Sequence, residues 1–346
     1  MNMKRNTISI ATVLLALIAG TSCSDAAPSG VHTPPDTTFA DGLWTASGTQ
    51  PGLVRLSLAQ LETSASITPA TVITSSSASL LGFNSVAFDA DGTLWTTSQN
   101  DSLLIAFRRT ALATSGSRIA SRVIASSNGS LSSPSALAFD SSHRLWVANT
   151  GNGTIVRFDS VQLASGGTPT PSVILSGIDS PTGLAFDAAG GLWFSQDGSH
   201  RVARFAPAQL ETSGFILPQV ILTSEGPDIG NPVGLAFDAA GNLWIANAGR
   251  SNVSALRANH LTTTGLVNAD IVISPASAAP SLPLGLAFDA HGNLWVAYAE
   301  GVLTEYDHTA LAASGAPAPA VRIVINDHQS LRTPAFWPKP AGLPLN

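Results

Sequence analysis

Hydrophobic and polar positions along the chain recur in one pattern. A run of mostly apolar residues ends at an Asp, a short Asp/Gly/Asn-rich stretch follows, and a second apolar run built around a Trp comes next. GFNSVAFDADGTLWTTS from Gly82, SPSALAFDSSHRLWVAN from Ser133, SPTGLAFDAAGGLWFSQ from Ser180, NPVGLAFDAAGNLWIAN from Asn231 and LPLGLAFDAHGNLWVAY from Leu282 align without gaps. Two apolar runs flanking such a turn predict a β-hairpin. The first run is apolar almost without interruption, which predicts a strand buried on both faces. Gly183, Gly234 and Gly285, with Ser85 and Ala136 in the equivalent places, keep one position small where strands crowd together.

A third strand, such as GTIVRFD from Gly153, precedes a second repeated piece that occurs six times. Its copies are AQLETSASITPATVI, TALATSGSRIASRVI, VQLASGGTPTPSVIL, AQLETSGFILPQVIL, NHLTTTGLVNADIVI and TALAASGAPAPAVRI. Each predicts a short helical or turn segment, a Ser/Gly break and an outer fourth strand. Trp44, Trp95, Trp146, Trp193, Trp244 and Trp295 are separated by 51, 51, 47, 51 and 51 residues. This period fits a propeller blade. The fold class expected is therefore all-β, a six-bladed β-propeller of four-stranded blades. The first unit, TTFADGLWTAS, lacks the opening strand of the others. KPAGLPLN, residues 339–346, aligns with SPTGLAFD and is expected to supply that strand. A C-terminal strand pairing into the first blade closes the ring without an exposed edge.

The N-terminal residues break the repeat. Lys4 and Arg5 precede an apolar run from Ile8 to Gly20 that is short for a membrane span, which predicts an export signal. Cys23, the single Cys, follows in LIAGTSCSD, which resembles the lipobox of bacterial lipoproteins and marks Cys23 for lipidation. Residues 1–23 are thus expected to be a signal peptide, residues 24–38 (SDAAPSGVHTPPDTT) a flexible tether, and residues 39–346 one propeller. The expected location is the bacterial cell envelope, with a lipid anchor in the outer or cytoplasmic membrane, or the periplasm or medium without lipidation. An exported chain with no second Cys has no internal disulfide.

Only 11% of the 346 residues are charged, against about a quarter in an ordinary globular chain. Ser, Thr and Asn supply the remaining polarity. Removing Lys4 and Arg5 leaves 14 of the 16 basic residues against 22 acidic ones, a net charge of −8. With no basic cluster to offset this, nucleic acid is excluded as a partner.

No Trp is followed by Asp and paired glycines do not recur, so WD and kelch repeats are excluded. PTGLAFDAAGGLWFS, followed by a polar loop and VARF, resembles NHL-type repeats and the gluconolactonase, paraoxonase-like and virginiamycin B lyase propellers (the SMP-30-like superfamily). The resemblance covers Phe39 to Asn346. It implies the six-bladed architecture and, for the lactonases, a calcium ion held in the central tunnel by Asn, Asp and Glu at the openings of inner strands. The corresponding slots here are Asn84, Ser135, Thr182, Val233, Leu284 and Ala341. Calcium takes six to eight oxygen ligands, usually with carboxylates among them, so no cofactor is expected. A divalent cation belongs only to a lactonase-like or lyase-like alternative. His and Glu around magnesium, which the lyase resemblance implies, have no counterpart in these slots. His143 and His291 fall in hairpin turns and His200 in a loop.

Strand openings and the loops after second strands are expected to converge on one face. The second-strand ends present Ser47, Ser98, Asn149, Gln196, Asn247 and Tyr298. The loops beyond add Gln99, Asn100, Asp101, Asn152, Asp197, Arg250, Asn252 and Glu300. The candidate ligand-binding set is Asn84, Ser98, Asn149, Gln196, Asp197, Asn247, Tyr298 and Glu300, with no catalytic residue assigned. Amides around an aromatic suit a neutral polar ligand, such as a glycan, or a protein loop in the envelope. The function expected is a non-catalytic binding or interaction module. The alternative is a hydrolase or lyase using Asn84, Asn149, Asp197, Asn247 and Glu300. Asp89, Asp140, Asp187, Asp238 and Asp289 recur once per blade, which marks them as turn caps rather than catalysts.

Overall fold

The computed structural model describes residues 41–48, 52–76, 82–126, 128–226, 228–275 and 280–343. The chain divides into two units, Met1–Asp36 and Thr37–Asn346, and every described residue belongs to the second. The expected signal peptide, Cys23 and the tether lie outside the described residues.

Six antiparallel sheets form six blades, each built inner, second, third and outer strand in turn. Blade 2 runs Phe83–Phe88, Leu94–Ser98, Leu103–Phe107 and Arg122–Ile124. Blade 3 runs Pro134–Phe139, Leu145–Asn149, Thr154–Phe158 and Val173–Ser176. Blade 4 runs Pro181–Phe186, Leu192–Gln196, Arg201–Phe205 and Val220–Thr223. Blade 5 runs Pro232–Phe237, Leu243–Asn247, Asn252–Leu256 and Ile271–Ile273, and blade 6 runs Pro283–Phe288, Leu294–Tyr298, Val302–Tyr306 and Val321–Ile325. Blade 1 takes its second, third and outer strands from Gly42–Ser47, Gly52–Ser57 and Thr71–Ser75, and its inner strand from the C-terminal Ala335–Trp337. The chain thus forms a six-bladed propeller whose last strand closes the ring.

The closing segment differs from the one the sequence alignment selects. Ala335 pairs with Trp44 and Phe336 with Leu43, as Ala287 pairs with Trp295 and Phe288 with Leu294 in blade 6. Phe336 meets Trp295 edge-on at 6.4 Å, as Phe288 meets Trp244 at 6.0 Å. Residues 339–343 form no strand. The physical reason is that Pro338 and Pro340 have no N–H to give a ladder, whereas Pro334-Ala335-Phe336 places an aromatic where the preceding blade's Trp needs one. Lys339, Pro340 and Leu343 instead lie over the far end of the central tunnel, on an apolar cavity of about 70 Å³ lined by Val86, Leu137, Leu184, Leu235 and Pro334.

The hydrophobic core lies between blades. One cluster joins Trp146 and Ala148 of blade 3 to Leu184, Phe186 and Phe194 of blade 4, and equivalent clusters follow around the ring. Crowding at the axis explains the small position of the inner strands: a Cβ on Gly183 would sit 1.9 Å from the Val233 carbonyl oxygen.

Blades of four to five strands replace the uniform four expected. The Ser/Gly break of each repeated piece swings out and lies parallel to the outer strand of the preceding blade. Gly116–Arg118 joins blade 1, Gly214–Phe215 blade 3, Gly265–Leu266 blade 4 and Ala65–Ile67 blade 6. Single bridges from Gly167 to Ile124 and from Gly315 to Ile273 complete the circle. The Ser or Thr of each break accepts a backbone N–H of the preceding outer strand: Ser115 from Val72 at 3.0 Å, Ser213 from Ile174 at 3.0 Å, Thr264 from Ile221 at 3.1 Å, Ser314 from Val272 at 3.0 Å and Ser64 from Arg322 at 2.9 Å. Blade 3's copy departs from this, ending a short helix at Ser160–Ser165.

Candidate functional site

Inner-strand openings and the loops after second strands do converge, on a cavity of about 510 Å³ at one tunnel mouth. Asn84, Ser135, Thr182, Val233 and Leu284 line it from five inner strands, and Gln99, Thr150, Asp197 and Ala248 from the loops beside them. The sixth slot is corrected: Arg332, four residues before Phe336 as Asn84 is four before Phe88, stands where Ala341 was expected, and Ala341 lies on the opposite side of the molecule.

Of the eight candidate residues, Asn84 and Asp197 line this cavity. The others sit elsewhere, because side chains of a strand alternate in direction and a step of one residue exchanges the faces. Asn149 is buried between blades, where its amide accepts from Ser132 N–H at 3.1 Å and donates to the Ser130 carbonyl at 3.0 Å and to Thr154. Asn247 does the same in blade 5, accepting from Gly230 N–H and donating to the Asp228 carbonyl, Asn252 and Ser254. Gln196 donates to the Asp179 carbonyl and accepts from Arg201, and Ser98 donates to Asp101. Tyr298 is fully buried, and burial together with Tyr306 raises its phenol pKa. Glu300 accepts from Ser281 N–H and Oγ; burial pushes its carboxyl up, but these bonds outweigh it and leave the pKa low. These six lock strand ends and loops together. The residues one position further on, Gln99, Thr150, Asp197 and Ala248, face the tunnel.

The cavity has two walls and one charge of each sign. Its polar wall runs over blades 2 to 4: Asn84 donates to Gln99 at 2.9 Å, and Ser135 and Thr182 donate to the Pro181 and Pro232 carbonyls of the next blade at 2.9 and 3.0 Å. Asp197 accepts from the Asn231 amide at 2.7 Å, and Asn231 N–H donates to His200 Nδ1 at 3.0 Å. The apolar wall is Val233, Leu282 and Leu284 on blades 5 and 6. Arg332, on blade 1, stands three blades from Asp197 around the ring. Its backbone is fixed by Ala46 and Thr45, and its Nε lies against Gly48, where an added Cβ would approach to 3.2 Å. That Nε is buried without a hydrogen-bond partner, and burial lowers the guanidinium pKa.

The slot residues do not fit the calcium that the lactonase resemblance implies. Two hydroxyls already donate to carbonyls, two slots are apolar, and a guanidinium occupies the sixth, which repels a cation. Among the described residues no group of three or more His, Cys, Asp or Glu is placed to hold a metal ion.

Six radially packed blades with a tunnel mouth built from inner-strand openings define a six-bladed propeller of the lactonase-like kind. The chain belongs to the SMP-30/gluconolactonase/LRE-like region family, whose model matches residues 40–225. No curated protein matches it in sequence. A structure of a protein of unknown function from Bacteroides caccae is 11% identical, with a TM-score of 0.60 over 85% of this chain and 98% of that one. A chain of a nidogen/laminin complex is 12% identical, with a TM-score of 0.59 over 86% and 98%. A catalytically inactive virginiamycin B lyase from Staphylococcus aureus with quinupristin is 18% identical, with a TM-score of 0.52 over 75% of each chain. The chain spans between 66% and 76% of the lengths of the streptogramin and virginiamycin B lyase chains. At these identities the likeness is one of fold.

Proposed function

We propose that the chain is an exported, lipid-anchored propeller that acts in the bacterial cell envelope as a non-catalytic binding module, taking a small polar ligand or a protein loop at the tunnel mouth. The observation that carries this reading is the mouth itself, about 510 Å³ of open cavity in which amides and hydroxyls converge from blades 2 to 4. Cavities of this size suit monosaccharide-sized ligands. Propellers also present such faces to proteins, and the nidogen/laminin complex supports that use. Lipidation at Cys23 after signal cleavage would hold the ring at a membrane surface through residues 24–38, and binding at the mouth needs no metal.

A thermal-shift and native mass-spectrometry screen of the purified chain against mono- and oligosaccharides, small acids and envelope peptides tests the reading. The expected result is a stabilising ligand whose shift is lost in Asn84→Ala, with no stoichiometric calcium or magnesium. Turnover of a lactone, abolished by the same substitution, would overturn it. That second reading, a divergent hydrolase or lyase, draws on the family membership and on the Asp197–Asn231–His200 chain of hydrogen bonds beside the cavity.

A further inference from the structure

Arg332 is the one cation among the residues lining the cavity. Among the described residues its side chain has no ion pair and no hydrogen-bond partner, and its Nε is buried. Removing a guanidinium's hydration without supplying an acceptor costs free energy, so this position burdens the fold unless something else pairs with it. The backbone leaves little freedom to withdraw it. Arg332 N–H donates to the Ala46 carbonyl, its carbonyl accepts from Thr45, and both bonds belong to the ring-closing segment.

Accordingly, we infer that the tunnel mouth is a site for a small organic monocarboxylate, whose carboxylate pairs with the Arg332 guanidinium while its polar groups face Asn84 and Gln99. This rests on reading the mouth as a binding site and names the chemical class it takes. A guanidinium presents parallel N–H donors that match a carboxylate. Two features select a carboxylate over a phosphate. The cavity holds a single cation, and Asp197 on the far wall opposes a second negative charge. The apolar Leu282 and Leu284 on blade 6, next to Arg332 in the ring, exclude water from one side of the pair and strengthen it.

Titration calorimetry on the full chain is the test. The probes are hexuronic, aldonic and short hydroxy acids, each with its methyl ester or amide as the uncharged control, and inorganic phosphate. At least one acid should bind with its neutral control weaker by about tenfold or more, the loss of a charge-assisted hydrogen bond. Arg332→Gln should lose the same factor without a fall in melting temperature, since it removes a buried unpaired charge, and Arg332→Lys should lie between. Equal binding of an acid and its ester, both weakened by Asn84→Ala, would overturn the carboxylate while leaving the binding module standing. Phosphate binding tighter than every acid would also overturn it. Binding of no acid, ester or phosphate, together with no hit in the wider ligand screen, would remove both readings.

Discussion

Asp238 shows how one residue type serves the inner hairpin of five of the six blades. One carboxylate oxygen accepts the N–H groups of Ala240 and Asn242 at 3.0 and 2.9 Å, tying the turn, and the other accepts the indole N–H of Trp244 at 3.0 Å. Asp89, Asp140, Asp187 and Asp289 repeat both contacts with their own turns and with Trp95, Trp146, Trp193 and Trp295. The turn role was readable from the Asp-x-x-Gly spacing; the indole was not, because the Trp six positions on is reached only once the hairpin folds back. Asp238→Ala strands a buried indole N–H and frees the turn, and should cost about 2 to 3 kcal/mol in urea unfolding. Asp238→Asn keeps the turn acceptor but points an N–H at the indole, so it should recover only part of that loss. The tunnel residues divide in the same way. Asn84 and Asp197 were readable from the repeat, whereas a one-residue step along the second strands separates Asn149, Gln196 and Asn247, which are buried, from Thr150, Asp197 and Ala248, which face the cavity. Apolar alternation cannot fix that step where both faces of a strand are covered.

The repeated Ser/Gly break is the element that lengthens each blade. Its sequence announces an interruption, and the period shows that it recurs, but its partner lies one blade back, some 40 residues away in the chain. Long-range parallel pairing of two or three residues leaves no periodic signal of its own. What marks it in retrospect is the chemistry shared by the internal copies: a hydroxyl precedes the Gly, or its substitute, because that hydroxyl caps an N–H on the neighbouring outer strand. Ser213→Ala should therefore accelerate amide exchange at Ile174 in blade 3 rather than within blade 4, and should lower global stability by about 0.5 to 1 kcal/mol. Ser213→Thr should preserve both, as Thr264 fills the same role in blade 5. If exchange at Ile174 is unchanged in Ser213→Ala, the break does not clasp the preceding blade in solution.

At the scale of the whole molecule the ring is closed twice, and the two closures involve different parts of the chain. At the circumference, Ala65–Ile67 from blade 1 pairs with Val321–Ile325 of blade 6, and Ser66 donates to Asn326 at 2.6 Å. At the axis, Ala335–Trp337 completes blade 1, putting Phe336 against Trp295 and Trp337 against Phe88 at 5.1 Å, with Arg109 above the Trp337 ring at 6.0 Å. The number of blades followed from the six evenly spaced Trp residues, and the need for a C-terminal closing strand from the missing opening strand at Trp44. The identity of that strand did not, because Pro-Ala-Gly at 340–342 imitates the repeat more closely than Pro-Ala-Phe at 334–336. The two alternatives predict opposite outcomes for truncation. A chain ending at Pro338 keeps the closing strand and loses only the segment over the apolar end of the tunnel, so it should retain most of the wild-type melting temperature. A chain ending at Pro334 leaves Gly42–Ser47 as an inner edge and strips two aromatic contacts from blades 2 and 6. Phe336 and Trp337 are partly buried, and for each even a fraction of the roughly 3 to 5 kcal/mol that a fully buried aromatic contributes exceeds what the outer clasp replaces with three paired residues. Thermal unfolding of the two truncations should show a small fall for the first and a loss of cooperative folding, or a fall of about 10 °C or more, for the second. Equal melting temperatures would mean that the circumferential clasp alone holds the ring.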